Sequence, residues 1–99
     1  MKCKSYYKFF EVIANETRFK IIESLIDGAL NVGQICFVTK EEQSKISHNL
    51  KILSQCNVVE IKKDGKNRIY SLNKETIEPM LRLVEKHVEK NCVGKCGLK

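Results

Sequence analysis

Three features of this 99-residue chain predict a mostly α fold with one β-hairpin, an α+β arrangement in the order α-α-α-α-β-β-α. Apolar residues recur at helical spacing through much of the first 56 positions, two β-rich runs flank Asp64-Gly65, and the helical period returns from about Lys74. The first helix comes from SYYKFFEVIA, where Tyr6, Phe9, Phe10 and Ile13 fall at i, i+3, i+4 and i+7 and so share one face. Asn15 is placed to cap a second helix, with Glu16 in its positive first turn. Phe19, Ile22, Leu25 and Ile26 form the apolar stripe of that helix, and Gly28 ends it.

A third, short helix, roughly Val32 to Val38, opens on Asn31 and Gln34, a reciprocal capping pair. The polar break TKEE leads into the fourth helix, which ends near Cys56. It starts either on a capping box of Thr39 with Glu42 or on Glu42 as the cap itself. VVEIKK, Asp-Gly and KNRIYSL then read as a hairpin, because Asp-Gly tolerates the backbone angles of a tight turn. The last helix covers about Lys74 to Asn91, with Ile77, Met80, Leu81, Val84, His87 and Val88 along one side. Pro79 has no amide proton and suits only a first turn, so the regular part begins near Thr76 or Ile77. Helices three and four, joined by a short turn and followed by a hairpin, form a winged helix-turn-helix pattern.

Composition narrows the class. The chain, 1–99, has the size of one domain with one core, ending in a short cysteine-containing tail, and its 42% hydrophobic content is too high for a disordered protein. No apolar run approaches the roughly 20 residues that cross a bilayer, and MKCKSYYKFF lacks a signal-peptide core, so no membrane partner and a cytoplasmic location are expected. A net charge of +6 favours a polyanionic partner. Five cysteines, an odd number, argue against a disulfide framework and for reduced thiols. With no Ser-His-acid set, no phosphate loop and no closed metal site, the sequence does not read as an enzyme.

The fourth helix carries the chemistry. Ile46, Leu50 and Leu53 cluster toward the core, whereas Ser44, His48, Lys51 and Gln55 cluster opposite, with Ser47 at the margin. No acidic residue lies between Gln43 and Gln55. Hydroxyls, an imidazole, amides and an ammonium suit phosphate oxygens and base edges, and a helix is an element that fits the major groove. Such a face alone is as readily a solvated surface. The hairpin tips the balance: Lys62, Lys63, Lys66 and Arg68 surround Asp64-Gly65, a cationic wing beside a groove-reading helix.

Together, ANETRFKIIESL, SKISHNLKIL and VVEIKKDGKNRIYSL resemble the ArsR/SmtB family of winged-helix repressors, in a match that runs from about Phe9 to Lys90 without a gap. Members of that family commonly read Asn-x-Thr-Arg before helix two and Ser-x-x-Ser-His-x-Leu in the recognition helix. The resemblance implies a homodimer, paired through the first and last helices, that occupies a near-palindromic double-stranded DNA operator and leaves it when an effector binds. It assigns groove reading to Gln43, Ser44, Ser47 and His48, with Lys51 added from its place on the outward face, and wing contacts to Lys62, Lys63, Lys66 and Arg68. One departure stands out: the turn before the recognition helix usually reads Gly-aliphatic-Ser in the family, and here it is Lys40-Glu41-Glu42.

Two effector sites of such repressors are missing. Where a cysteine pair would stand in the third helix this chain has Asn31 and Gly33, and the four positions of an interhelical zinc site read Lys74, Thr76, His87 and Lys90. His87 alone makes no zinc site, and on the apolar stripe it reads as a hydrogen-bonded interface histidine. Cys36 and Cys56 read as small buried hydrophobes. Cys92 and Cys96 are four apart and share one side if a helical turn persists, and family-type pairing of the terminal helices would bring Cys3 near them. Three thiolates suit arsenite, antimonite or a soft metal ion. The expected function is thus a DNA-binding repressor released by such a thiol-reactive effector. The same thiols alternatively make a redox- or persulfide-responsive repressor, a repressor with an idle tail needs no effector, and a winged-helix protein-association module would not bind DNA at all.

Overall fold

The computed structural model describes residues 5–92, Cys92 by its backbone only. Helices α1 (Tyr6–Ile13) and α2 (Glu16–Ser24) come first. Strand β1 (Leu30–Asn31) runs straight into α3 (Val32–Thr39), followed by α4 (Gln43–Gln55), the hairpin β2 (Val59–Asp64) and β3 (Asn67–Leu72), and α5 (Ile77–His87). A π turn, Val88–Cys92, continues α5.

Local chemistry sets the boundaries. The Ser5 hydroxyl accepts from the Lys8 amide and the Asn15 carboxamide from the Arg18 amide, so each of the first two helices starts on a side-chain cap. Asn31 and Gln34 form the reciprocal box expected for α3, at 2.8 and 2.9 Å. Thr39 does not cap α4. Its hydroxyl donates back to the Ile35 carbonyl at 2.8 Å, which keeps it in the last turn of α3, and Lys40 then takes a left-handed conformation (φ 60°) that ends the helix. The residue before α4 is Glu42, the second of the two starts the sequence allowed, although its side chain makes no cap hydrogen bond. Asn73 ties the wing to the last helix, its carboxamide donating to the Asn57 carbonyl and accepting from the Glu75 and Thr76 amides. The chain therefore turns over 74–76, and α5 begins at Ile77 with Pro79 in its first turn.

The element order gains one member. β1 pairs antiparallel with β3, Leu30 opposite Tyr70 and Asn31 opposite Ile69, which gives a three-stranded sheet in the order β1-β3-β2. Two residues show no alternation, so a strand of this length leaves no periodic signal. The hairpin turn is also one residue later than Asp-Gly suggests: Asp64 pairs with Asn67, and Gly65-Lys66 make the loop. Gly65 alone of those two has a positive φ (64°), the requirement at the first central position of a type II′ turn.

The core joins Ile21, Ile22 and Leu25 of the second helical segment to Ile35, to Ile46, Leu50 and Leu53 of α4, and to Val58, Val59, Tyr70 and Leu72 of the hairpin. Two expected stripes are corrected. In α1 the buried residues are Val12 and Ile13 with Phe9 partly covered, while Tyr6 and Phe10 are 89% and 55% exposed. In α2 Ile21 takes the core position beside Ile22 and Leu25, and Phe19 and Ile26 face out. On α5 Ile77 is buried and Met80 and Leu81 are half-buried, but Leu83 and Val84 are exposed, as is Val88 at the start of the π turn. Both terminal helices thus leave apolar faces uncovered in a single chain.

Candidate nucleic-acid interface

α4 is oriented by its own apolar side. Ile46, Leu50 and Leu53 are buried to within 1% of completely, against α2, α3 and the start of the wing. Burying three such side chains contributes on the order of 5–9 kcal/mol, which holds the rotation of the helix against the pull of any single polar group. Gln43, Ser44, Ser47, His48 and Lys51 all emerge on the exposed side.

Strand register arranges the wing. Lys63 lies directly opposite Arg68 and Ile61 opposite Tyr70, so these four share one face, while Lys62 and Ile69 point to the other. The first face looks onto α4. A cleft of about 460 Å³ between helix and hairpin is lined by Ser47, Lys51 and Ser54 on one wall and Ile61, Arg68 and Tyr70 on the other. The structure therefore brings Ser47, Lys51 and Arg68 together and continues their face to Lys63. It puts Lys66 in the exposed turn and Lys62 on the far face. Two like charges directly opposite one another cost a hairpin roughly 0.2–1 kcal/mol, a repulsion that an anion between Lys63 and Arg68 relieves.

The three charges before α4 are accommodated. Glu41 is half-buried and pairs with Lys20 of α2 at 3.1 Å and with Lys45 of α4 at 3.2 Å. These hydrogen bonds, reinforced by the opposite charges, hold its carboxyl below the ordinary carboxylate value, and the same contact raises the Lys20 amine. Glu42 accepts a hydrogen bond from the Ser44 hydroxyl at 2.8 Å, so Ser44 is already engaged on the helix that carries it.

Two residues that position this face carry no role in the sequence reading. Arg18 donates from Nε to the Val12 carbonyl at 2.6 Å and from Nη1 to Asn49 Oδ1 at 3.2 Å. Asn49 is buried and donates in turn to the Lys45 carbonyl at 2.9 Å. The end of α1, the start of α2 and the first turns of α4 are thereby tied through one guanidinium. The available signal was Asn49 itself, a polar residue four before Leu53 and hence on the apolar side of the helix.

No thiol site is assembled among the described residues, where no three His, Cys, Asp or Glu side chains converge as metal ligands. Cys3 and Cys96 lie outside the described residues, and the backbone of Cys92 closes the π turn. Cys36 and Cys56 are half-buried against the core rather than fully buried. His87 is exposed, and its Nδ1 lies 3.4 Å from Asn91 Nδ2 one turn along the chain. No helix is long and apolar enough to cross a membrane among these residues.

Known proteins agree with this geometry. The model of the bacterial regulatory protein arsR family matches residues 15–60, the stretch from the α2 cap into β2. The transcriptional repressor SdpR of Bacillus subtilis is 33% identical over 81 residues, which cover 78% of this chain and 90% of that protein. The cadmium resistance transcriptional regulatory protein CadC homolog of Staphylococcus aureus is 31% identical over 80 residues, 80% of this chain. The chain spans 64% of the length of two of the curated relatives it matches, the CadC homolog among them. Among solved structures, Rv0081 of Mycobacterium tuberculosis superposes with a TM-score of 0.81 at 26% identity, covering 92% of each chain. With a helix-turn-helix and wing in this order and a third of the aligned residues identical to SdpR, the chain belongs to the ArsR/SmtB family of winged helix-turn-helix transcriptional regulators.

Proposed function

We propose that this protein is a homodimeric, sequence-specific DNA-binding repressor of the cytoplasm, in which each α4 enters a major groove and each wing grips the adjoining backbone. One observation carries the reading: an exposed face of α4 without acidic residues shares a single cleft with the cationic face of the wing. Gln43, Ser47 and His48 offer donors and acceptors to base edges, and Ser44 joins them by exchanging its bond to Glu42. Lys51, Lys63, Lys66 and Arg68 supply charge for phosphates, and Lys62 reaches a strand only around the outer edge of the wing. The uncovered apolar faces of α1 and α5 support pairing with a second copy, which would place two α4 helices on two half-sites.

The effector in this reading is thiophilic: arsenite, antimonite or a soft metal ion taken by Cys3, Cys92 and Cys96. The chemistry of sulfur donors supports it, as does the cadmium-resistance name of the CadC homolog.

The test is an anisotropy titration of a duplex that the protein itself selects from a random library, and of random duplex. We expect Ser47→Ala to relax sequence preference and Lys63→Ala to weaken all sequences alike. No DNA affinity at low salt would replace the reading with a protein-association module. Repeating the titration with arsenite, cadmium, zinc and a mild oxidant, on wild type and on Cys92→Ser/Cys96→Ser, tests the effector. Equal responses of the two proteins would remove the tail thiols from it.

A further inference from the structure

We propose that Glu41 acts as an electrostatic brake on sequence-independent DNA affinity, by holding Lys20 and Lys45 on its carboxylate and away from phosphate. The proposal rests on the reading that α4 faces a duplex. Glu41 sits in the turn between α3 and α4, next to Glu42, at the end of α4 where the helix dipole and unpaired amides favour anions. A bare carboxylate there repels a phosphate. Here both oxygens are occupied, Oε2 by Lys20 and Oε1 by Lys45, and only 19% of the side chain is exposed.

The lysines themselves are 40% and 50% exposed, so they are accessible from solvent and held by pairing rather than by burial. Lys45 lies on the flank of α4 beside Ser44, and its four-carbon stem would let the ammonium swing to a strand if released. Exposed pairs of this kind are individually weak. Glu41 is therefore a graded restraint and not a lock: phosphate competes with it for the same two ammoniums, and neither lysine adds fully to the cationic surface. The three groups together carry a net charge of +1, whereas loss of the carboxylate charge leaves +2 beside the groove-entering end of α4.

The experiment is an anisotropy titration of random-sequence duplex at stepped salt with wild type, Glu41→Gln, Lys45→Gln and the double variant, each checked for folding by thermal melting. Each freed lysine adds about 0.9 to the slope of log affinity against log salt, so Glu41→Gln is expected to steepen it by up to about 3.6 per dimer and to tighten random-duplex binding at least about tenfold at low salt. Lys45→Gln is expected to lower the slope by clearly less than about 1.8 per dimer in the wild-type background and by about 1.8 per dimer in the Glu41→Gln background. An unchanged or shallower slope in Glu41→Gln overturns the brake and marks the trio as a strut of the turn. If Glu41→Gln does not fold, Glu41→Ala takes its place in the same comparison, and a full fall of about 1.8 for Lys45→Gln in the wild-type background overturns the brake, because Lys45 then already sits on phosphate. A wild type without DNA affinity removes the proposed function and the brake together, whereas a binding wild type with an unmoved Glu41→Gln removes only the brake.

Discussion

Asn49 and Arg18 show how single residues aim the candidate interface without touching its exposed face. Asn49 is buried on the apolar side of α4, yet its carboxamide is satisfied at both ends, accepting from Arg18 and donating to the Lys45 carbonyl. Replacing it with alanine deprives a guanidinium donor of its partner. Asn49→Ala is expected to cost about 1–3 kcal/mol. In a domain of this size that lowers the melting temperature by roughly 4–8 °C per kcal/mol, measurable by thermal melting. Glu41 offers a test by pH. Its carboxyl is lowered in the fold, so its contribution to stability is present above the ordinary carboxylate value of 4.5 and is lost as pH falls through the lowered value. The Lys20 amine is raised, so its contribution is present below 10.5 and is lost as pH rises through the raised value. The difference in melting temperature between wild type and Glu41→Gln should therefore be flat between 4.5 and 10.5 and shrink beyond either end.

At the scale of elements, the wing combines good turn chemistry with poor strand pairing. Gly65 satisfies the positive φ of the loop, whereas Lys63 and Arg68 oppose each other across the ladder. A hairpin selected for stability alone would put opposite charges at those positions. Arg68→Glu should therefore stabilise the fold by about 0.2–1 kcal/mol while weakening binding to every DNA sequence, a combination read by thermal melting and anisotropy on the same samples. Parallel losses in both measurements would mean that the pair holds the wing together and does not serve a ligand. α4 shows the opposite balance, since its core-facing residues are apolar apart from a satisfied asparagine and its outward face has no acid to repel a duplex.

At the scale of the molecule, a net charge of +6 is distributed unevenly, with the wing and α4 cationic and the apolar faces of α1 and α5 left open. Leu83, 68% exposed on α5, tests the proposed pairing: Leu83→Glu should shift the protein toward monomer in sedimentation and weaken operator binding through lost bivalency. For the proposed dimer, log affinity should fall by about seven per decade of salt if roughly eight phosphates are neutralised. The helices, the hairpin, the buried side of α4 and the cationic tip were legible from the sequence, because period, caps and turn residues are local and each is written within a few positions. Tertiary structure alone decided the two-residue strand that joins α3 to the wing, the choice of Ile21 over Phe19 for the core, the Arg18–Asn49 tie and the pairing of Glu41 with lysines on two helices. Each of these depends on partners distant in the chain or on which of two nearby apolar residues meets the core, and no local pattern records where another element will lie.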